Sequence, residues 1–275
     1  MKKRTIRLMT FNILVDKKKE APYSWEGRRE QIVKLLKYYN PDIFCIQEAL
    51  EHQKIYLAEA FTEYSCFGVG RNDGKGSGEQ VPIFYKKDIF TLENEGYFWL
   101  SETPEIAGSI GWDAKLPRTV VWKRLKHNLS KKSFLVANTH YDHVGKKANK
   151  NSANLIYDEL TAKNCDEPII LCGDFNSAED FSAYKELLAC GFKDAYKERD
   201  IICYGLPFTY HKFLMDSYIK EAASLQQEND RVFRAIDHVF YIGQVKPMRY
   251  GILPDNEAGV YPSDHFPVLC DLAIE

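Results

Sequence analysis

The chain has 275 residues, of which 45% are hydrophobic, 28% charged and 13% aromatic. A chain of this size buries enough apolar surface to fold without disulfides, and its apolar content excludes a disordered polypeptide. Its apolar runs are only a few residues long, so no membrane span is expected. A net charge of −2 is unlike that of a passive duplex-DNA binder. The balance is uneven: residues 1–150 hold 26 basic and 18 acidic side chains, and residues 151–275 hold 11 and 21. Ordinary surface variation with a lysine-rich start accounts for this. The seven cysteines are odd in number and form no CxxC pair, so they read as small buried hydrophobes of a reducing compartment.

Met1-Lys2-Lys3-Arg4 followed by apolar residues mimics a signal peptide, but Arg7 and Asn12 interrupt the apolar core and Lys17–Lys19 replaces a cleavage site. Residues 6–15 therefore read as a first strand, and the protein is expected to be cytoplasmic. Ile32, Val33, Leu35, Leu36 and Tyr39 recur at helical spacing and predict a helix over 25–39, with Ser24 as its N-cap and Asn40-Pro41 as its stop. A buried strand is expected at 42–47, a helix at 51–61, and strands at 64–69, 81–86 and 91–100. The loop 71–79 (RNDGKGSGE) lacks both the Walker and the GxGxxG spacing, which argues against a phosphate cradle. Further strands are expected at 119–127 and 133–139, a helix at 148–163, a short strand at 168–172 and a helix at 179–190. Strands at 236–242 and 265–274 close the chain. Residues 206–231 fit no strong pattern and read as a long, partly helical functional loop. No linker divides the sequence. One α/β domain over 1–275 is expected, built as two mixed β-sheets packed face to face with helices outside.

The polar residues cluster in an unusual way. Asn12 interrupts the first strand, Glu48 and His140 follow apolar strands, and Asp174 and Asn176 end another. Asp237 lies in a strand, and Asp264-His265 open the last one. Any one of these is a common turn or cap residue. Six such cases, all Asn, Asp, Glu or His, strain that explanation. They supply oxygen ligands for a hard cation and imidazoles to move protons.

The motifs Thr10-Phe11-Asn12-Ile13, Ile46-Gln47-Glu48-Ala49, Asn138-Thr139-His140, Gly173-Asp174-Phe175-Asn176-Ser177, Ile236-Asp237-His238 and Ser263-Asp264-His265-Phe266-Pro267-Val268 occur in this order. Together they resemble the endonuclease/exonuclease/phosphatase superfamily over nearly the whole chain. The resemblance implies a four-layer α/β-sandwich and Mg²⁺-dependent hydrolysis of a phosphate ester, with Mn²⁺ as a substitute. It implies Glu48 as the direct metal ligand with Asn12 beside it, and Asp264 completing the acidic metal-side wall. Asp174 would orient and deprotonate the attacking water, and Asn176 would hold that water or a phosphate oxygen. His140 and His265 would donate to the phosphate, and Asp237 would pair with His265. Phosphoryl transfer needs such cations and preorganised donors, because charge builds on the equatorial and leaving oxygens.

Other candidates carry less. Asp142 and His143 partly mimic the HxHxDH signature of zinc hydrolases, but its first histidine is missing. They either line the pocket or cap the loop. His211 is a candidate substrate contact from the long loop. Arg118 is either a bidentate phosphate donor or a surface salt bridge. No GxSxG occurs, which disfavours a serine esterase. The leading expectation is a Mg²⁺-dependent phosphodiesterase or nuclease acting on a phosphate-ester substrate, nucleic acid among the options, with no obligate protein partner. The alternatives are a phosphatase or diesterase for a small phosphorylated metabolite, sugar or lipid headgroup, and a nucleic-acid-binding scaffold with a degenerate site.

Overall fold

Along the first strand, Ile6 and Leu8 alternate with Met9 and Phe11, so each face of the strand presents its own apolar set. Both faces are consequently covered. The computed structural model describes residues 5–17, 20–163, 166–221 and 231–275, so the expectations for Met1–Arg4, Lys18, Lys19, Cys165 and residues 222–230 lie outside it. The first half runs β1 (Thr5–Asn12), α1 (Trp25–Tyr39), β2 (Ile43–Gln47), α2 (Glu51–Ala60), β3 (Tyr64–Phe67), β4 (Ile83–Lys86), β5 (Phe90–Trp99), β6 (Thr119–His127) and β7 (Ser133–His140). The second runs α3 (Lys146–Ala162), β8 (Ile169–Asp174), α4 (Ser182–Ala189), β9 (Lys193–Asp194), β10 (Ile202–Gly205), α5 (Met215–Glu221), β11 (Asp237–Ile242), β12 (Val245–Ile252) and β13 (Val268–Ile274).

Seven strands form one mixed sheet in the order β10-β12-β13-β1-β2-β4-β3, and six form a second in the order β5-β6-β7-β8-β11-β9. Ile6, Leu8, Cys45, Val136, Ile170 and Val239 meet between the sheets. Helices α1 and α2 cover the outer face of the first sheet through Ile32, Leu36 and Leu57, and α3 and α4 cover the second through Ile156, Leu160 and Leu187. The result is the expected four-layer α/β arrangement. Helix α1 starts where Ser24 Oγ accepts the Gly27 N–H at 3.2 Å, and stops at Asn40, whose left-handed φ of 48° closes the last turn.

Several expectations need correction. Strands β9, β10 and β12 were not anticipated: two are very short, β10 is an exposed edge, and Lys246 and Pro247 break the pattern of β12. Strand β13 begins at Val268, which leaves Asp264 and His265 in the loop before it, free of the ladder and able to turn towards the second sheet. Cys45, Cys172 and Cys270 are buried as expected, whereas Cys203 is exposed.

The sheets are tied together beneath their C-terminal edges by polar groups. Gln47 donates to Asn138 Oδ1 at 2.7 Å and to Thr10 Oγ1 at 2.9 Å, and Asn138 donates to the carbonyl of Ile46 at 2.8 Å. Arg28, on α1 and 1% exposed, donates to the carbonyls of Ile13 and Pro262, both at 2.7 Å, and to those of Leu14 and Tyr23. It thereby joins the loop after β1 to the loop before β13. Replacing Arg28 with Met leaves four carbonyls without their donor, and each buried orphan costs about 1–3 kcal/mol. Urea unfolding of Arg28→Met is expected to show a loss of roughly 3 kcal/mol or more, with the midpoint lowered and the slope retained.

Candidate active site

Strand pairing places three ionisable residues in one row. His140 lies opposite Asp174 in the parallel β7–β8 pair, and Asp237 lies opposite Asp174 in the antiparallel β8–β11 pair. The close β7–β8 approach depends on Gly173, whose φ is 144° and where a Cβ would sit 2.0 Å from the Thr139 carbonyl oxygen. Only glycine fits there. From the first sheet, Asn12 ends β1 and Glu48 follows β2 in a left-handed conformation with φ 63°.

Asn12 links the sheets. Its Nδ2 donates to Glu48 Oε1 at 3.2 Å and to Asp174 Oδ2 at 3.0 Å, while its Oδ1 accepts the Leu14 N–H at 3.0 Å. That last bond fixes which end of the amide faces the carboxylates. Asn12 thus turns its Nδ2 donor towards the two carboxylates and its oxygen towards the backbone. Glu48 Oε2 accepts the Val15 N–H at 2.9 Å. Asp264 lines the same cavity as Glu48.

Asp174 is almost wholly buried. Its Oδ1 accepts the Asn176 N–H at 2.8 Å, and its Oδ2 lies 3.4 Å from His140 Nε2 and 3.8 Å from His265 Nε2. Burial, reinforced by the Asp237 carboxylate, pushes the Asp174 carboxyl up to about 7, against the pull of His265 and the Asn176 and Asn12 donors. His265 Nδ1 meets Asp237 Oδ2 at 2.8 Å. Burial opposes its charge, yet Asp237, with Asp174 and Asp264 behind it, holds the imidazolium up to about 10. His140 is shifted the other way: burial and the charges of Arg118, Arg71 and His265 keep it well below the ordinary histidine range. One imidazole is charged and the other neutral.

Ligand-capable atoms of Asp174, Asp237 and His265 lie within 4.8 Å of one another, close enough to hold a cation. His265 Nδ1 is engaged by Asp237 Oδ2 at 2.8 Å, which leaves Nε2 as the histidine's ligand-capable atom towards Asp174. Glu48 and Asp264 offer a second pair of carboxylates on the wall of a cavity of about 390 Å³. The same cavity is lined by Lys17, Arg71, Arg118, Lys212 and Arg231, together with Glu79, His143 and Tyr210.

The weaker candidates separate clearly. Arg118 is 5% exposed, so its ion pair with Asp142, with Nε 3.6 Å from Oδ2, is buried rather than at the surface; its Nη2 faces His143 Nδ1 at 3.2 Å, and its Nη1 has no hydrogen-bond partner. His143 lines the cavity. Asp142 does not: its Oδ1 accepts the N–H groups of Val144 at 2.9 Å and Gly145 at 2.8 Å, so it caps the loop. His211 is fully buried, stacks on Phe266 at 4.2 Å and accepts the Phe213 N–H. Burial lowers it to about 3, and it does not line the cavity. Sequence reading passed over Arg71 and Glu79, which close the glycine-rich loop with a bidentate pair of 2.7 and 3.1 Å. Opposite charges at the two ends of that loop were the available signal.

A sequence profile of the Endonuclease/Exonuclease/phosphatase family matches residues 9–265. The chain belongs to this family. Its members are metal-dependent phosphoesterases and nucleases. A crystal structure of an endonuclease/exonuclease/phosphatase from Bacteroides vulgatus shares 34% identity and a TM-score of 0.88, covering 99% of this chain and 100% of that one. A mannosyl-6-phosphatase from Bacteroides thetaiotaomicron shares 34% identity and a TM-score of 0.85 over 98% of this chain and 99% of that one. Drosophila melanogaster Nocturnin is 24% identical over 98% of this chain, which spans 47% of Nocturnin's length. No helix among the described residues is long and apolar enough to cross a membrane.

The raised His265 value fixes a sign. Stability from its ion pair with Asp237 is fully present below the unfolded histidine pKa of about 6.5 and is lost as pH rises through about 10. In metal-free protein, ring-proton NMR is expected to show His265 still charged at pH 8, and Asp237→Asn to bring its titration down towards neutrality. The stability decline between roughly pH 6.5 and 10 is then expected to flatten in Asp237→Asn.

Proposed function

We propose that this protein is a Mg²⁺-dependent phosphatase for a small phosphomonoester such as a sugar phosphate. The observation that carries the reading is the convergence of Arg71, Arg118 and Arg231, with Lys17 and Lys212, on one cavity of about 390 Å³. A terminal phosphate is a dianion, and such a pocket suits it better than the monoanion of a diester. The buried Arg118 guanidinium, whose Nη1 has no hydrogen-bond partner, supports the same conclusion. The likeness to a mannosyl-6-phosphatase adds to it. The nuclease reading that sequence favoured keeps support from the family's breadth.

A hard divalent cation fits the oxygen donors of Glu48 and Asp264, and when bound it would supply Lewis-acid stabilisation of the phosphoryl oxygens. Mn²⁺ would serve as well as Mg²⁺ with such donors. The remaining roles fall to side chains in place. Asp174 Oδ2 accepts a proton from the attacking water, for which a carboxyl raised to about 7 is well matched. His265, charged through Asp237, donates from Nε2 to a phosphoryl oxygen, and neutral His140 donates without adding charge. Asp237 touches no reacting atom; it acts through His265.

Asp174→Asn is expected to retain metal affinity and lose about 10²–10⁴-fold in kcat, the range of a positioned general base. Glu48→Ala is expected to lose metal affinity and activity together, read by titration calorimetry and turnover. Wild-type Mg²⁺ affinity in Glu48→Ala would remove Glu48 from the metal site. For substrate class, kcat/KM with Mg²⁺ is expected to be at least roughly 100-fold higher for a hexose phosphate than for a dinucleotide diester, a difference of about 2.7 kcal/mol in transition-state binding. A preference for the diester would restore the nuclease reading.

A further inference from the structure

A second cavity, of about 300 Å³, adjoins the catalytic one and shares His143, Asn176 and Arg231 with it. It lies between the starts of α3 and α4, with Lys146 and Asn149 on one side and residues 181–183 on the other. Its size is at the lower end of cavities that take small molecules, which run from about 300 to 1,000 Å³. Glu48, His140, Asp174 and His265 line the first cavity and not the second. A group in the second cavity therefore sits beside the reacting phosphate rather than at it.

The walls of this cavity carry donors and acceptors together. The Asn149 side chain, 8% exposed, donates through Nδ2 to the Asp142 carbonyl at 2.6 Å, which fixes the amide, and its Oδ1 has no hydrogen-bond partner. A buried amide oxygen without a donor is unfavourable, and a hydroxyl or an N–H would satisfy it. Asp180, paired with Arg234, adds a second acceptor. On the donor side stand Lys146 and the first turn of α4, whose N–H groups the Phe181 side chain cannot cap. An anion would gain from these donors but would be repelled by Asp180 and by the Asn149 oxygen. A hydroxyl both donates and accepts, so it suits both sets at once. Phe181 supplies an apolar surface for the carbon skeleton that bears the hydroxyls.

We propose that this cavity is a subsite for the organic part of the phosphate ester, a neutral, hydroxyl-rich group such as a sugar ring. The catalytic cavity holds the phosphate next to it. The inference rests on the phosphatase reading above and adds to it the place where specificity for the ester arises.

The test compares a hexose phosphate with methyl phosphate as substrates of the Mg²⁺-loaded protein, with inorganic phosphate as a competitive inhibitor. Ser182 is exposed and lines this cavity, so Ser182→Trp fills the space without disturbing the core. It is expected to raise KM for the hexose phosphate roughly 10-fold or more, with methyl phosphate turnover and the phosphate inhibition constant within about twofold of wild type. Asn149→Ala is expected to raise the hexose phosphate KM severalfold, the worth of one hydrogen bond, and to leave methyl phosphate unchanged. An unchanged hexose phosphate KM in Ser182→Trp overturns the subsite. Equal losses with methyl phosphate overturn it too, since the cavity would then serve the phosphate or the fold. A wild type that turns over a diester but neither monoester sinks the phosphatase reading instead. Ser182→Trp, measured on that diester against inorganic phosphate, then decides the subsite on its own.

Discussion

The site depends on keeping one carboxylate, that of Asp174, in the seam where two sheets meet. A buried carboxylate without partners is costly enough to shift towards its neutral form. Here it is surrounded by donors from both sheets: the Asn12 amide from β1, the Asn176 N–H from the turn after β8, and two imidazoles close by. The Asn12 amide matters most, because a single NH₂ group also reaches Glu48 and so fixes the spacing between the expected metal wall and the expected base. Separating the sheets slightly would break the Asn12–Asp174 bond and leave the Asn12–Glu48 bond within the first sheet.

Around that carboxylate the two histidines are driven apart in charge. They lie at similar distances from Asp174 Oδ2, yet one faces Asp237 and the other faces Arg118 and Arg71. A carboxylate stabilises an imidazolium, whereas two guanidinium groups suppress one. The cavity thus offers a charged donor on one side and an uncharged one on the other without any difference in residue type. Asp237 Oδ1 has no hydrogen-bond partner, so its charge is committed to His265 through Oδ2.

Much of this was legible in sequence because rigid strands carry it. Asn12, His140, Asp174 and Asp237 terminate or open apolar strands whose period-2 pattern is clear, and pairing brings them together. What escaped was of another kind. Arg71, Glu79 and Arg231 come from loops, where no periodicity reports direction or depth. His211 and Asp142 looked like site residues from their neighbours in sequence, but a buried stack on Phe266 and a cap on backbone N–H groups decided their roles. Strand β12 was missed because Pro247 and the register shift after it interrupt the alternation.

The local backbone explains why those loops start where they do. Leu14, Glu48 and Asn176 all have positive φ, of 60°, 63° and 47°, and each lies at or just beyond the end of a strand that serves the site. A non-glycine residue in that region is unfavourable and persists only where its surroundings over-determine it. Those surroundings are present. The Leu14 N–H is held by Asn12 and its carbonyl by Arg28, Glu48 is held by Asn12 and Val15, and Asn176 by Tyr141 and Arg231. The same contacts that aim the carboxylate, the amide and the guanidinium into the cavity also offset the cost of the three turns. Strain and function therefore coincide at the sheet edge, and the hydrogen bonds that stabilise one are those that organise the other.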